Sequence, residues 1–191
     1  MKKLVNFVGF QAGWWGCVWG SAQGNWWIGP VLVAVAIAVH LALNGNRRGE
    51  LALMLIAGLL GLALDGLLTA GGLLRFPGYE GPNVGPLPLW MLALWINIAP
   101  TLGSALGWMR RRYVLGALFG FLGGPTTYYA GTTFGALMFA PDTYESWGAL
   151  AITWTVAMVA LQVATERCLP AESAAPPSAA PDEPSGDATA A

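Results

Sequence analysis

Six apolar segments, each near the length of a bilayer-crossing helix and separated by short connections, leave this chain few folds to choose from. They run from Leu4 to Ala22, Trp26 to Leu43, Leu51 to Leu74, Leu89 to Trp108, Tyr113 to Phe139 and Trp147 to Thr165. A spanning helix needs about 20 predominantly apolar residues. The connections carry helix-stop chemistry: Asn44-Gly45-Asn46, the Gly- and Pro-rich stretch from Pro77 to Pro88, and Pro141-Asp142. Only 10% of the residues are charged and mean hydropathy is +0.55, whereas about a quarter of a soluble domain is charged. The expected fold is an all-α membrane protein, a bundle of six transmembrane helices over residues 1–167. The Ala-, Pro-, Ser- and acid-rich residues 168–191 are expected to form a disordered tail, since they bury too little apolar surface to offset ordering entropy.

Orientation follows from the basic residues. Lys2, Lys3, Arg47, Arg48, Arg110, Arg111, Arg112 and Arg167 fall on one side of these spans and only Arg75 on the other. Both termini are therefore expected in the cytoplasm. Trp26, Trp27, Trp90 and Trp147 mark the outer boundary and Trp108 the inner one, as amphipathic rings favour the headgroup region. Lys2-Lys3 and the apolar run after them outline a signal peptide ending near Gly20-Ser21-Ala22. Asn6, Gln11, Trp14, Trp15 and Trp19 make a poor signal core, however, and a retained first helix is expected.

Net charge is -1 and the basic residues sit in short clusters, which excludes a nucleic-acid partner. Cys17 and Cys168 have neither CxxC spacing nor a nearby histidine, so no metal or cofactor is expected. The chain carries no HExxH, no nucleophile motif and no Walker sequence, so no catalytic residue is assigned and an enzyme is the less favoured reading.

Charge at bilayer depth is expensive, so an intramembrane carboxylate is a functional candidate by default. Asp65 is the one well inside a predicted span, on a stripe with Ala57, Gly61 and Thr69 whose small residues mark the side that another helix approaches. The fourth segment offers a matching stripe, Ala93, Asn97, Thr101 and Ala105. Counted at about 1.5 Å per residue from the cytoplasmic ends, Asp65, Asn97 and Thr127-Tyr128 come out at similar depth. Asp65, Asn97, Thr101, Thr127 and Tyr128 are therefore expected to form an intramembrane polar cluster, either a pocket or a set of structural contacts, with Asn97 the leading partner of Asp65. The fifth segment repeats glycine at Gly116, Gly120 and Gly124, the spacing of close helix packing, and Gly123-Gly124-Pro125 should bend or break it. His40, the one histidine, is expected to make an interfacial hydrogen bond. Arg110, Arg111 and Arg112 are candidates for binding lipid headgroups.

Several short motifs carry a family resemblance. These are Asn6-Phe7 with Gln11 and Trp14, Leu64-Asp65-Gly66 followed by Arg75-Phe76-Pro77, Pro88-Leu89-Trp90 with Leu94-Trp95, and Gly123-Gly124-Pro125 followed by Tyr129-Ala130-Gly131. Over residues 3 to 165 the chain resembles a family of small bacterial inner-membrane proteins catalogued as domain of unknown function 2878. The stretch Pro100-Thr101-Leu102-Gly103-Ser104 is less polar than its equivalent there. The resemblance implies a multi-pass place in the bacterial inner membrane and supplies no activity or cofactor.

The leading functional expectation is a non-catalytic accessory or scaffold protein in envelope-lipid processes, because small-residue stripes dominate and catalytic constellations are absent. A small-molecule or lipid transporter with a polar pocket around Asp65 is the second reading, and an intramembrane lipid-modifying enzyme the third. Membrane lipids are the expected partners, with other membrane proteins or a second copy of the chain as further candidates.

Overall fold

A computed structural model describes residues 1–170. The expected tail falls outside the described residues except for its first three positions. Six helices account for most of the fold: α1 (Lys2–Ala22), α2 (Ile28–Leu43), α3 (Arg47–Ala70), α4 (Leu89–Gly103), α5 (Tyr113–Phe134) and α6 (Tyr144–Cys168).

The boundaries depart from the hydropathy reading where local chemistry intervenes. Asn46 caps α3 by accepting the Gly49 amide at 3.1 Å, so the helix starts at Arg47, four residues before its apolar run. Pro100 lies in the last turn of α4, and the chain leaves the helix at Gly103, turning once more as a 3-10 turn over Gly107–Met109. Gly135 ends α5 in the left-handed conformation, φ 80°, that glycine adopts freely. The apolar residues past it form a strand instead of more helix. That strand, β4 (Met138–Phe139), pairs antiparallel with β1 (Leu74–Arg75), while β2 (Asn83–Val84) pairs with β3 (Leu87–Pro88). Gly123-Gly124-Pro125 does not interrupt α5, which runs as one helix through Pro125. The Thr126 hydroxyl there donates to the Leu122 carbonyl at 2.7 Å.

Sequential helices pack as hairpins, α1 on α2, α3 on α4 and α5 on α6, and α4 also touches α1, α2 and α6. Close approach requires the glycines. A Cβ at Gly116 would meet the Gln162 side chain, one at Gly120 the Trp154 backbone, and one at Gly124 the Trp154 ring. Cys17 is fully buried where α1 crosses Gly29 of α2. By contrast α1 and α5 meet only sparingly, with Trp15 edge-on to Phe134 at 5.5 Å between ring centres.

One end of the bundle gathers the start of α1 and α3, the α4–α5 connection and the end of α6. There Asn46 Nδ2 donates to the Cys168 carbonyl at 3.3 Å, Gln162 Nε2 to the Met109 carbonyl at 3.0 Å, and Arg110 to the Leu169 carbonyl. Arg75, on β1, is at the other end.

Among the described residues two helices, α3 and α6, are long and apolar enough to cross a membrane by length and composition, with mean hydropathy 2.3 and 1.6. α2 and α4 are apolar but shorter, at 16 and 15 residues. α1 and α5 have the length, 21 and 22 residues, but intersperse tryptophan, glycine and hydroxyl side chains among their apolar residues. Large apolar side chains face outward all round: Val31, Val35 and Val39 on α2, Leu51, Leu55 and Leu59 on α3, Ile152 and Val156 on α6.

Candidate functional site

Asp65 sits nearly four-fifths of the way along α3 with no exposed surface. Gly61, one turn earlier, is what lets α4 come close enough to reach it, because a Cβ there would fall against the indole of Trp95. Trp95 Nε1 donates to Asp65 Oδ2 at 2.6 Å. From the far side Tyr128 on α5 donates its hydroxyl to the same oxygen. Hydrogen bonds to a carboxylate oxygen are charge-assisted and among the stronger ones in a protein. One carboxylate thus ties three helices together.

The two donors belong to an aromatic wall. Trp95 stacks on Trp154 of α6 with ring centres 4.7 Å apart and planes at 17°, and Tyr128 meets Trp154 edge-on at 6.0 Å. Gly124 makes room for Trp154 as Gly61 does for Trp95. On the other side of this wall from Asp65 lies a cavity of about 400 Å³ between α1, α4, α5 and α6, bounded by Phe10, Trp14, Leu94, Ile98 and Met158 among others. Asp65 is not part of its lining, while Trp95 and Tyr128 are. Both turn their polar atoms away from the cavity into the carboxylate.

Of the five residues expected to cluster, the structure brings Asp65 and Tyr128 into contact. Asn97 lies on the opposite flank of α4, where its Nδ2 donates to the Phe10 carbonyl of α1 at 3.0 Å. Thr101 donates to the Ile98 carbonyl at 2.5 Å within its own helix, and Thr127 lines the cavity. Depth and stripe placed the polar groups at one level but could not say which neighbour each faces, since α4 is flanked on several sides. A tryptophan in an apolar run reads as packing, so the sequence does not single out Trp95 as a partner of Asp65. Its place two residues before Asn97 turns it toward α3.

A second buried polar group lies where α1, α2 and α3 meet. His40 Nε2 faces Glu50 Oε2 at 3.1 Å, and both residues are nearly buried. Asn6 Nδ2 and Asn44 Nδ2 each lie 3.3 Å from His40 Nδ1. An imidazole with its hydrogen on Nε2 donates to Glu50 and leaves the one Nδ1 lone pair to the amides, of which Asn44 also donates to the His40 carbonyl at 2.7 Å. Glu50 gave no signal in the sequence, lying just ahead of the third apolar run. Of the arginine cluster, Arg110 turns inward to the α6 terminus, while Arg111 and Arg112 are exposed.

The family described as "Protein of unknown function (DUF2878)" matches residues 3–160. No curated protein and no solved structure matches the chain.

Proposed function

The chain belongs to the DUF2878 family, and from that premise we propose that it is a six-span protein of the bacterial inner membrane, a non-catalytic accessory or scaffold in envelope-lipid processes. The observation that carries this reading is the state of Asp65. An intramembrane carboxylate that moves protons, cations or polar substrates needs a water-filled or mobile path to it. Asp65 has no exposed surface, and two aromatic donors in contact with Trp154 stand between it and the cavity. Its Oδ2 holds α3, α4 and α5 together, while Oδ1 is buried without a hydrogen-bond partner.

Six spans are supported by the outward apolar side chains on α2, α3, α5 and α6, which water would leave unfavourably exposed. Eight of the nine basic residues stand at one end, as the positive-inside rule requires. The short α2 and α4 are lengthened across the bilayer by the turns that flank them. A role among lipids is favoured by the hydrocarbon lining of the cavity beside the carboxylate.

Reporter fusions test the topology. Fusions after Arg48 and Arg112 should behave as cytoplasmic, and fusions after Glu80 and Glu145 as periplasmic. A reversed result at even one of these loops would sink the six-span arrangement.

A further inference from the structure

We propose that the cavity is a binding site for one acyl chain of an anionic phospholipid, admitted sideways from the cytoplasmic leaflet between α1 and α5. The inference rests on the membrane-embedded reading above.

The lining selects hydrocarbon. Sites for polar ligands present several convergent hydrogen-bonding groups, but here most of the lining is apolar and Gln11, Thr101, Thr127 and Tyr128 are its few polar side chains besides the indoles. Trp95 and Tyr128 donate to Asp65, and Thr101 donates to a backbone carbonyl. Water is a poor occupant of so apolar a lining, since a buried water needs two to four polar partners and an apolar void of about 150 Å³ already stays dry and takes up benzene. At about 400 Å³ this cavity is larger. Left empty, its lining would forfeit dispersion contacts that a chain restores.

The mouth is on the α1–α5 side. Phe7, Trp15 and Phe119 line the cavity yet are 49%, 49% and 43% exposed, so the wall is open between these two helices. Trp15 against Phe134 closes the end of that opening farther from the basic side. What remains faces the end where Lys2 and Lys3 begin α1 and where Arg111 and Arg112 precede α5. The two helices that frame the mouth therefore both carry exposed basic residues at the level of the headgroups.

The test uses the full chain in lipid nanodiscs containing phosphatidylglycerol with a photoactivatable diazirine near the end of one acyl chain, or phosphatidylcholine labelled in the same way. Crosslinks are mapped by peptide mass spectrometry. Label is expected on Met158 and Trp95, which are 0% and 2% exposed and unreachable by lipid that only surrounds the bundle. Phosphatidylglycerol should label them about fivefold more than phosphatidylcholine, the ratio expected for roughly one extra headgroup–basic contact. Gly123 borders the cavity, and a Cβ there meets only Phe119 at 3.7 Å. Gly123→Leu should therefore cut interior labelling by about fivefold or more while the protein still melts cooperatively, because the added side chain occupies the ligand's space. Label confined to outward residues such as Leu118 and Val156, or interior label equal for the two lipids, would overturn the proposal. A chain that stays in solution without lipid or detergent would overturn the membrane-embedded reading with it.

Discussion

The Trp95 indole nitrogen points into the Asp65 carboxylate at 2.6 Å, and the rest of the ring is left to face hydrocarbon. Tyr128 repeats the arrangement from α5. A buried charge of this kind is costly alone; here two donors share Oδ2, while Oδ1 is buried without a partner. The carboxylate in turn takes up two hydrogen-bonding groups of a wall that is otherwise mostly apolar.

Asp65→Asn should therefore be tolerated, because an amide oxygen in place of Oδ2 can still accept from Trp95 and Tyr128. Asp65→Leu should cost more, stranding two buried donors at roughly 1 to 3 kcal/mol each. Thermal melts of the two variants in detergent micelles compare them directly. Equal losses would show that hydrogen bonding at this position is immaterial.

Tyr128→Phe removes one charge-assisted bond and leaves the ring in place against Trp154. A loss of about 1.5 to 3 kcal/mol is expected for a hydrogen bond to a charged group. A melting curve that coincides with the parent's would contradict the contact.

Gly61→Ala is the sharpest packing test. The new methyl would fall against the Trp95 ring, which cannot retreat because Trp154 is stacked on its other face. Overpacking of a tight core costs about 1 to 3 kcal/mol. Gly123→Ala, one methyl added at an open site, is the control and should change stability little. The order of the two melting temperatures checks the assignment, and a reversed order would mean that the α3–α4 contact lies elsewhere.

Much of this architecture is legible in the sequence because apolar run lengths, capping residues and glycine spacing are local signals. The six helices, the small-residue face of α3 and the inward direction of Asp65 all follow from them. The partner of Asp65 does not follow. Asn97 and Trp95 sit two residues apart on α4 and face different neighbours, α1 and α3, so the choice between them depends on how α4 is rotated within the bundle. The end of α5 was equally hidden, since Ala136 to Phe139 are as apolar as the helix before them and only the left-handed Gly135 turns the chain into a strand. The expectation at Gly123-Gly124-Pro125 was a bend or a break, and α5 runs unbroken through Pro125, with Gly116, Gly120 and Gly124 packed against α6.

Glu50→Leu should destabilise the α1–α2–α3 junction by leaving His40 Nε2 without its acceptor, at roughly 1 to 3 kcal/mol. Adding His40→Leu on that background should recover part of the loss, because replacing both partners by apolar groups removes the stranded atom. A double variant that falls further than the single one would show that the two residues act independently.

The most direct measurement is the unfolding of three proteins side by side in one detergent: the parent, Asp65→Leu, and the triple variant Asp65→Leu/Trp95→Phe/Tyr128→Phe. If Asp65 serves to satisfy the polar ends of its two aromatic neighbours, the triple variant should regain most of the stability that Asp65→Leu loses, since no donor is left without an acceptor. A triple variant less stable than Asp65→Leu, by about the sum of its separate losses, would contradict this, because Asp65 would then not be what those two side chains are held by.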